Sequence, residues 1–367
     1  MANRIFVGTS SIMNKGVYLD LNLSETNGHT LLLGESGSGK TYCTQVMVSE
    51  LARLGSKVYI LDLTGSLTRN QGEPEFFSNI GEKLDYVNVA REGLLINLFE
   101  RIMMDEETLE KDSDLAGRVA DSLTACIGRG ELQRALVYQC IKAMLVHCDR
   151  TGEMPSLELL GLIISGEKGV QAKKVIGKMA QLIDGQYFHL EPPQNMMCKL
   201  GDIKLMQMQS IAHSIKQVLT DLILWKIWSD AVQYGSKNHP TYILIDEFQN
   251  VRLTPSSPLY KILCEGRKFG LNLILATQFI QGKFFDNVEM AIAQVGNKIF
   301  FRPPDKESRY VAGFLTHERN MAKEQEERLR GLRKGEAMIK GDIYFDETGG
   351  KKYLSSLKVK INRLSTK

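Results

Sequence analysis

The sequence predicts an α/β protein: a central, mostly parallel sheet, interrupted by a helical insertion and preceded by a short N-terminal β segment. Three observations predict it. Short apolar runs at residues 31–33, 57–63, 241–245 and 271–276 end in glycine-rich or polar tips, the texture of strands buried on both faces. The first of these runs passes directly into a glycine-rich turn and then a helical pattern. Between residues 105 and 184 the strand texture disappears, and apolar residues recur three and four apart, as in Leu115, Val119, Leu123 and Cys126.

In chain order, residues 4–8 and 17–23 are short strand-like runs. In the second, Val17, Leu19, Leu21 and Leu23 alternate with Tyr18, Asp20 and Asn22, the two-residue period of a half-exposed strand pair. Residues 29–48, HTLLLGESGSGKTYCTQVMV, read as apolar run, turn and helix. Gly34 to Thr41 fits GxxxxGK[ST] with no mismatch. Its glycines let the backbone curl until consecutive N–H groups point inward. With the positive end of the next helix, those groups make an anion cradle. Lys40 is then placed to reach the β- and γ-phosphates of a nucleotide, and Thr41 to put its hydroxyl on Mg2+. Nucleotide contacts are expected at Gly34, Ser36, Gly37, Ser38, Gly39, Lys40, Thr41 and the adjoining Tyr42.

A helix over 42–54 and a buried strand over 57–63 follow. Asp62, near the carboxyl end of that strand, has two open readings: a contact to nucleotide or to a neighbouring subunit, or a plain strand-end turn residue. The helical stretch then reads as an insertion between strands of the core sheet, punctuated by Gly128, Gly130, Gly152 and Gly166. The expected organisation is an N-terminal β segment at 1–28, a core at 29–104 and 200–367, and an insertion at 105–199. His147 beside Cys148 reads as packing, because no further ligands lie at metal-binding spacing. Residues 201–208 return to strand texture, and a helix over 214–233 carries Trp225 and Trp228 on a core stripe.

Residues 241–250, TYILIDEFQN, deliver two carboxylates to the end of a strand. Beside a phosphate-binding loop the first, Asp246, holds Mg2+, usually through water. The second, Glu247, orients and polarises the attacking water. Enzymes that move phosphate onto small molecules often lack the second acid, so Glu247 favours hydrolysis. Residues 271–278 form another buried strand with Gln278 at its tip. That amide either bonds the γ-phosphate or lytic water, or is an ordinary strand end. Residues 295–300, VGNKIF, resemble the guanine-reading NKxD, but Phe300 stands in the acid's place, so ATP is favoured over GTP.

The chain has 367 residues with 43% hydrophobic content, enough for a large core. Net charge is +3, which permits a nucleic-acid partner without arguing for one. Six cysteines are scattered without a CxxC pair and read as reduced thiols. No run approaches membrane-spanning length, and the start has no secretory pattern; a cytoplasmic protein with no membrane segment is expected.

The pieces GESGSGKT, ILIDEFQN and EGRKFGLNLILATQ, in this order, resemble the FtsK–HerA superfamily of hexameric P-loop motors, above all HerA-type DNA translocases and the related type IV secretion ATPases. Residues 299–302 and the run from Leu332 through Ile339 stand where the family has its late strands. The resemblance implies a RecA-like P-loop NTPase core, ATP and Mg2+ as cofactors, and a ring-forming homo-oligomer acting on DNA. It also implies a possible nuclease or other effector partner, although the family's N-terminal barrel is reduced to the segment 1–28. By the same resemblance Lys40 and Thr41 serve phosphate and metal, Asp246 and Glu247 are the metal-side and catalytic acids, and Gln278 matches a strand-end glutamine. Arg267 falls where these motors often present an arginine to a neighbour's nucleotide; Arg302, ending a strand before Pro303, is a second candidate. Arg252 and Lys283 are candidate DNA contacts by position alone. The C-terminal stretch, 340–367, alternates strand-like with basic residues and reads as an exchanged arm on the next subunit or as a solvated edge. Two other functions stay open: a secretion-type motor acting on protein, and a nucleotide-regulated scaffold in a defence or mobile-element complex.

Overall fold

The computed structural model describes residues 4–21, 27–128, 130–188, 199, 201–280, 286–316, 319–350, 352–353 and 355–364. Lys283, Cys198, Lys351, Lys367 and residues 22–23 of the alternating run lie outside them. Among the described residues, twelve strands form one continuous sheet. In chain order they are β1 (Arg4–Ser10), β2 (Gly16–Asp20), β3 (Thr30–Leu33), β4 (Lys57–Asp62), β5 (Leu84–Asn88) and β6 (Ile203–Gln207). The second half of the chain adds β7 (Thr241–Ile245), β8 (Leu271–Thr277), β9 (Asn297–Phe300), β10 (Glu336–Lys340), β11 (Ile343–Tyr344) and β12 (Leu357–Ile361). Across the sheet the order is β11-β2-β1-β12-β10-β9-β3-β8-β7-β4-β6-β5. From β9 to β5 every neighbouring pair is parallel. From β9 to β11 every pair is antiparallel.

The parallel half is covered on both faces, which is why its strands read as unbroken apolar runs. Alternate residues of one strand enter different cores. Leu31 and Leu33 of β3 join one, and Leu32 joins the other; Ile243 and Ile245 of β7 oppose Tyr242 and Leu244 in the same way. The helix Lys40–Arg53 covers the face of Leu32, through Cys43, Val46, Met47 and Leu51. The helix His213–Tyr234, buried along most of its length, lies under the opposite face with Trp228 fully enclosed.

Four helices, Asp112–Ile127, Glu131–Thr151, Leu157–Gly166 and Val170–Asp184, occupy the stretch whose sequence is helical. Leu115, Val119 and Leu123 turn inward, and their core runs on without a break into that of the helix His213–Tyr234. His147 lies at the surface, its Nε2 3.2 Å from Glu153 Oε2.

The C-terminal stretch divides between the edge and the interior of the sheet: β11 is the edge strand beside β2, and the alternating basic run at its end is not an edge. β12 lies inside the sheet, paired with β10 on one side and with β1 on the other. Leu357, Val359 and Ile361 enter the core while Lys358 points outward, 2.8 Å from Glu336. The alternation marks a half-buried strand, and its partner β1 comes from the other end of the chain. The N-terminal strands are thereby fused to the same sheet through the last one.

Candidate active site

Ligand sites of open parallel sheets form at the carboxyl ends of the strands. Here that edge gathers the ends of β3, β4, β7, β8 and β9. The loop after β3 is laced to its neighbours by backbone bonds. Gly34 N–H donates to Thr277 O at 3.3 Å, Glu35 N–H to Arg302 O at 2.8 Å, and Phe301 N–H to Leu33 O at 2.8 Å. Gly34 has no room for a side chain, since a Cβ would meet Phe301 Cβ at 2.6 Å and Ser38 Oγ at 2.8 Å. Gly39, which precedes the helix Lys40–Arg53, has φ 115°, a conformation that a side chain would strain.

Lys40 is buried, and its ammonium donates to Gly34 O at 2.8 Å and Glu35 O at 3.1 Å. The cation is thus pinned across the loop it belongs to. Burial lowers its proton affinity, against the upward pull of Glu247, Asp246 and Glu35. The same interactions show that both carboxylates of β7's tip lie within electrostatic reach of the lysine. β7 stands two places from β3, with β8 between, a separation of about 10 Å between strand axes.

Asp246 is buried. Its Oδ2 accepts from Ser66 Oγ at 2.5 Å, while Oδ1 is enclosed with no hydrogen-bond partner among the described residues. Burial pushes this carboxyl up, opposed by the Ser66 bond and Lys40 and reinforced by Glu247 and Asp62. A buried anionic oxygen without a donor is costly, and a cation at that point relieves it. Oxygen donors suit Mg2+, so the residues present fit that metal. Thr41, in the first turn of the helix and half-buried, and Asp246 are the side chains that would hold it.

Asp62 resolves to the second of its readings. It accepts backbone N–H groups from Gly65 at 2.8 Å, Ser66 at 3.1 Å and Leu67 at 3.2 Å. It shapes the loop that presents Ser66 to Asp246. Ser66, in the loop after β4, contributes to the site without belonging to any recognisable motif.

Glu247 and Gln278 are brought together: Gln278 Nε2 donates to Glu247 Oε1 at 2.9 Å. Gln249 also donates to the Glu247 carboxylate, and its own Oε1 accepts from Thr277 Oγ1 at 2.6 Å. Gln249 and Thr277 were not singled out in the sequence, although both lie within the quoted motifs.

Other residues go elsewhere. Tyr42 turns its ring to the core shared with β1 and β2, and its hydroxyl accepts from Leu364 N–H at 2.8 Å. Ser36 and Gly37 are exposed at the loop tip, and Ser38 Oγ is bonded to Glu35 O at 2.7 Å. Arg302 stands beside its own loop, 3.5 Å from Glu35 Oε1. Arg267 is at the other end of the sheet, just before β8 begins. Arg252 turns into the protein: its largely covered side chain donates from Nε to Asp221 Oδ2 at 2.7 Å.

The family model described as "Helicase HerA, central domain" matches residues 5–227. A DNA double-strand break repair helicase HerA from Saccharolobus solfataricus (strain P2) is 22% identical over 352 residues, covering 91% of this chain and 65% of its own length. The protein of the same description from Sulfurisphaera tokodaii (strain 7) is also 22% identical, covering 90% of this chain and 66% of its own. The chain therefore spans less than two thirds of these relatives. Among solved structures, VirB4 of Thermoanaerobacter pseudethanolicus superposes with a TM-score of 0.73 at 14% identity, covering 98% of this chain and 96% of that one. The bacterial conjugative coupling protein TrwB follows with 0.60 at 14% identity, covering 92% and 86%. These structures share the α/β P-loop fold. With more than half of its residues matched by the family model, the chain belongs to the HerA helicase central-domain family.

Proposed function

We propose that the protein is an ATPase that works as a ring of copies and moves along double-stranded DNA. The observation that carries the hydrolytic part is the convergence at one sheet edge of Lys40, the partnerless oxygen of Asp246, and the Glu247–Gln278 pair. Each has a role in splitting a nucleoside triphosphate. The backbone cradle and Lys40 hold the phosphates. Glu247 accepts the proton of the attacking water, and Gln278 orients that water or the γ-phosphate. Thr41 and Asp246 would hold Mg2+, which when bound neutralises phosphate charge. A neighbour of the same fold, TrwB, has been solved with an ATP analogue and with ADP and Mg2+.

The ring and the DNA rest on the family and on Arg267. That arginine lies one β8 length from its own phosphate loop, about 20 Å along the strand. It is badly placed to serve its own nucleotide and suited to serving an adjacent copy's. Arg302, beside its own loop, is the arginine for the nucleotide in cis. A hexamer is the ring expected of this family.

The test is ATP turnover with and without duplex DNA, together with native mass in the presence of ATP. Lys40→Ala and Glu247→Gln are each expected to reduce turnover at least 100-fold, and Glu247→Gln to keep nucleotide binding. Near-normal turnover in either variant discards the site. Turnover indifferent to DNA, in a chain that forms rings, discards the DNA substrate and favours a protein cargo.

A further inference from the structure

Glu247 has a left-handed backbone, with φ 56° and ψ 49°. For a residue with a side chain this conformation is strained and persists only where the surroundings fix it. Those surroundings form a closed circuit. Gln278 donates to one carboxylate oxygen at 2.9 Å, and Gln249 donates to the other. Gln249 accepts from Thr277 Oγ1 at 2.6 Å, and Thr277 adjoins Gln278 at the tip of β8. Gln249 and Thr277 are both buried.

The direction of each bond is forced. An ionised carboxylate only accepts, so Gln249 must turn its NH2 towards Glu247. Its carbonyl then faces Thr277, whose hydroxyl must donate. The Thr277 hydroxyl, whose one proton is shared between Gln249 Oε1 and Phe279 O at 2.9 Å, reinforces the amide orientation that the carboxylate imposes.

We propose that Gln249 is a positioning residue for Glu247, steadied in its turn by the Thr277 hydroxyl. This rests on the assignment of Glu247 as the residue that activates water. The torsion that turns a carboxylate about its last bond is broad and poorly defined by itself. One amide on each oxygen stops that rotation and leaves each oxygen a free lone pair. A water is then activated from one fixed direction. Without Gln249, one carboxylate oxygen loses its anchor and Gln278 alone is left to hold the group's direction.

The experiment measures kcat, KM, affinity for a non-hydrolysable ATP analogue and Tm for Gln249→Met, Thr277→Val, Thr277→Ser and the Gln249→Met/Thr277→Val double variant. Gln249→Met is expected to lower kcat about 10- to 100-fold, with analogue affinity and KM within about twofold of the parent. Thr277→Val should lower kcat less, and Thr277→Ser, which keeps the hydroxyl, should recover most of that loss. The double variant should be no worse than Gln249→Met alone, because the threonine acts through the glutamine. An unchanged or raised kcat in Gln249→Met overturns the proposal. So do losses that multiply in the double variant, or a fall in analogue affinity and Tm that matches the fall in kcat. Where Gln249→Met does not fold, the Thr277→Val and Thr277→Ser pair decides by the same criterion. Glu247→Gln run alongside separates the two readings: turnover there sinks the base assignment, whereas a dead Glu247→Gln beside a normal Gln249→Met sinks only the positioning role.

Discussion

His29 stands one residue before β3 and is wholly buried. Its Nδ1 accepts the backbone N–H of Leu273 at 3.0 Å, which ties the start of β3 to the middle of β8. Nδ1 must be unprotonated to accept, so the ring is neutral. Burial pushes its pKa down from 6.5 to about 4, partly offset by backbone bonds to Leu263 and Ile262. The unfolded chain therefore takes up this proton first. Stability is unaffected above about pH 6.5 and is lost as pH falls from there to about 4. The full loss from this one group is about 3 kcal/mol. Urea titrations across that window should show the decline, and His29→Gln, which keeps an acceptor and cannot charge, should flatten it. A variant whose stability still falls in parallel with the parent's would remove His29 as the cause. The active-site groups share this theme, since Lys40 and Asp246 are each held against the charge state that water would favour. In both, a ligand of opposite charge restores the balance.

The helix His213–Tyr234 steadies the segment that follows Glu247. Gln217 Nε2 donates to Asn250 O at 3.1 Å, and one turn further on Asp221 takes the guanidinium of Arg252. Asp221 is fully buried; burial pushes its carboxyl up to about 6 even with Arg252 pulling it down. Removing one partner of such a pair leaves a lone buried charge. Arg252→Ala should cost about 3–5 kcal/mol in chemical denaturation, and Arg252→Met with Asp221→Leu should recover most of it. If the arginine served DNA instead, the single variant would fold normally and lose only DNA binding. Arg252 illustrates what sequence hides. Its position after the acidic strand is legible, but its partner is 31 residues away on the helix His213–Tyr234. The strands β3, β4, β7 and β8 were legible because burial on two faces leaves no polar alternation. β5, a half-exposed strand, was not. Nor was the place of β12, because an alternating strand looks the same at an edge as between β1 and β10, and its register with β1 spans nearly the whole chain. That Lys40, Asp246, Glu247 and Gln278 would gather at one sheet edge was legible from the motifs. Ser66 and Gln249 were not, because a hydroxyl or amide acquires its role only from what it faces.

The whole sheet separates two arginines that sequence position alone could not rank. Arg302 stands at the carboxyl edge with its own phosphate loop, and Arg267 at the amino edge away from it. In a head-to-tail ring each copy shows one surface to a copy ahead and a different one to the copy behind, so a finger and a phosphate loop can meet only across a heterologous contact. This makes complementation the decisive measurement. On the proposed assignment, Arg267→Ala copies keep an intact phosphate loop and lack the finger, and Lys40→Ala copies keep the finger and lack a working loop. Each alone should be inactive. In an equal, randomly ordered mixture, about a quarter of the interfaces unite an intact loop with an intact finger, so turnover should reappear on mixing. The recovered rate should peak near equal proportions and vanish at either extreme. A finger acting in cis gives no recovery at any ratio, because no copy in the mixture carries both groups. Repeating the titration with Arg302→Ala in place of Arg267→Ala should give no recovery, since the loop and that arginine belong to one chain. Recovery with Arg302→Ala and not with Arg267→Ala would exchange the two roles and require a ring contact at the carboxyl edge instead.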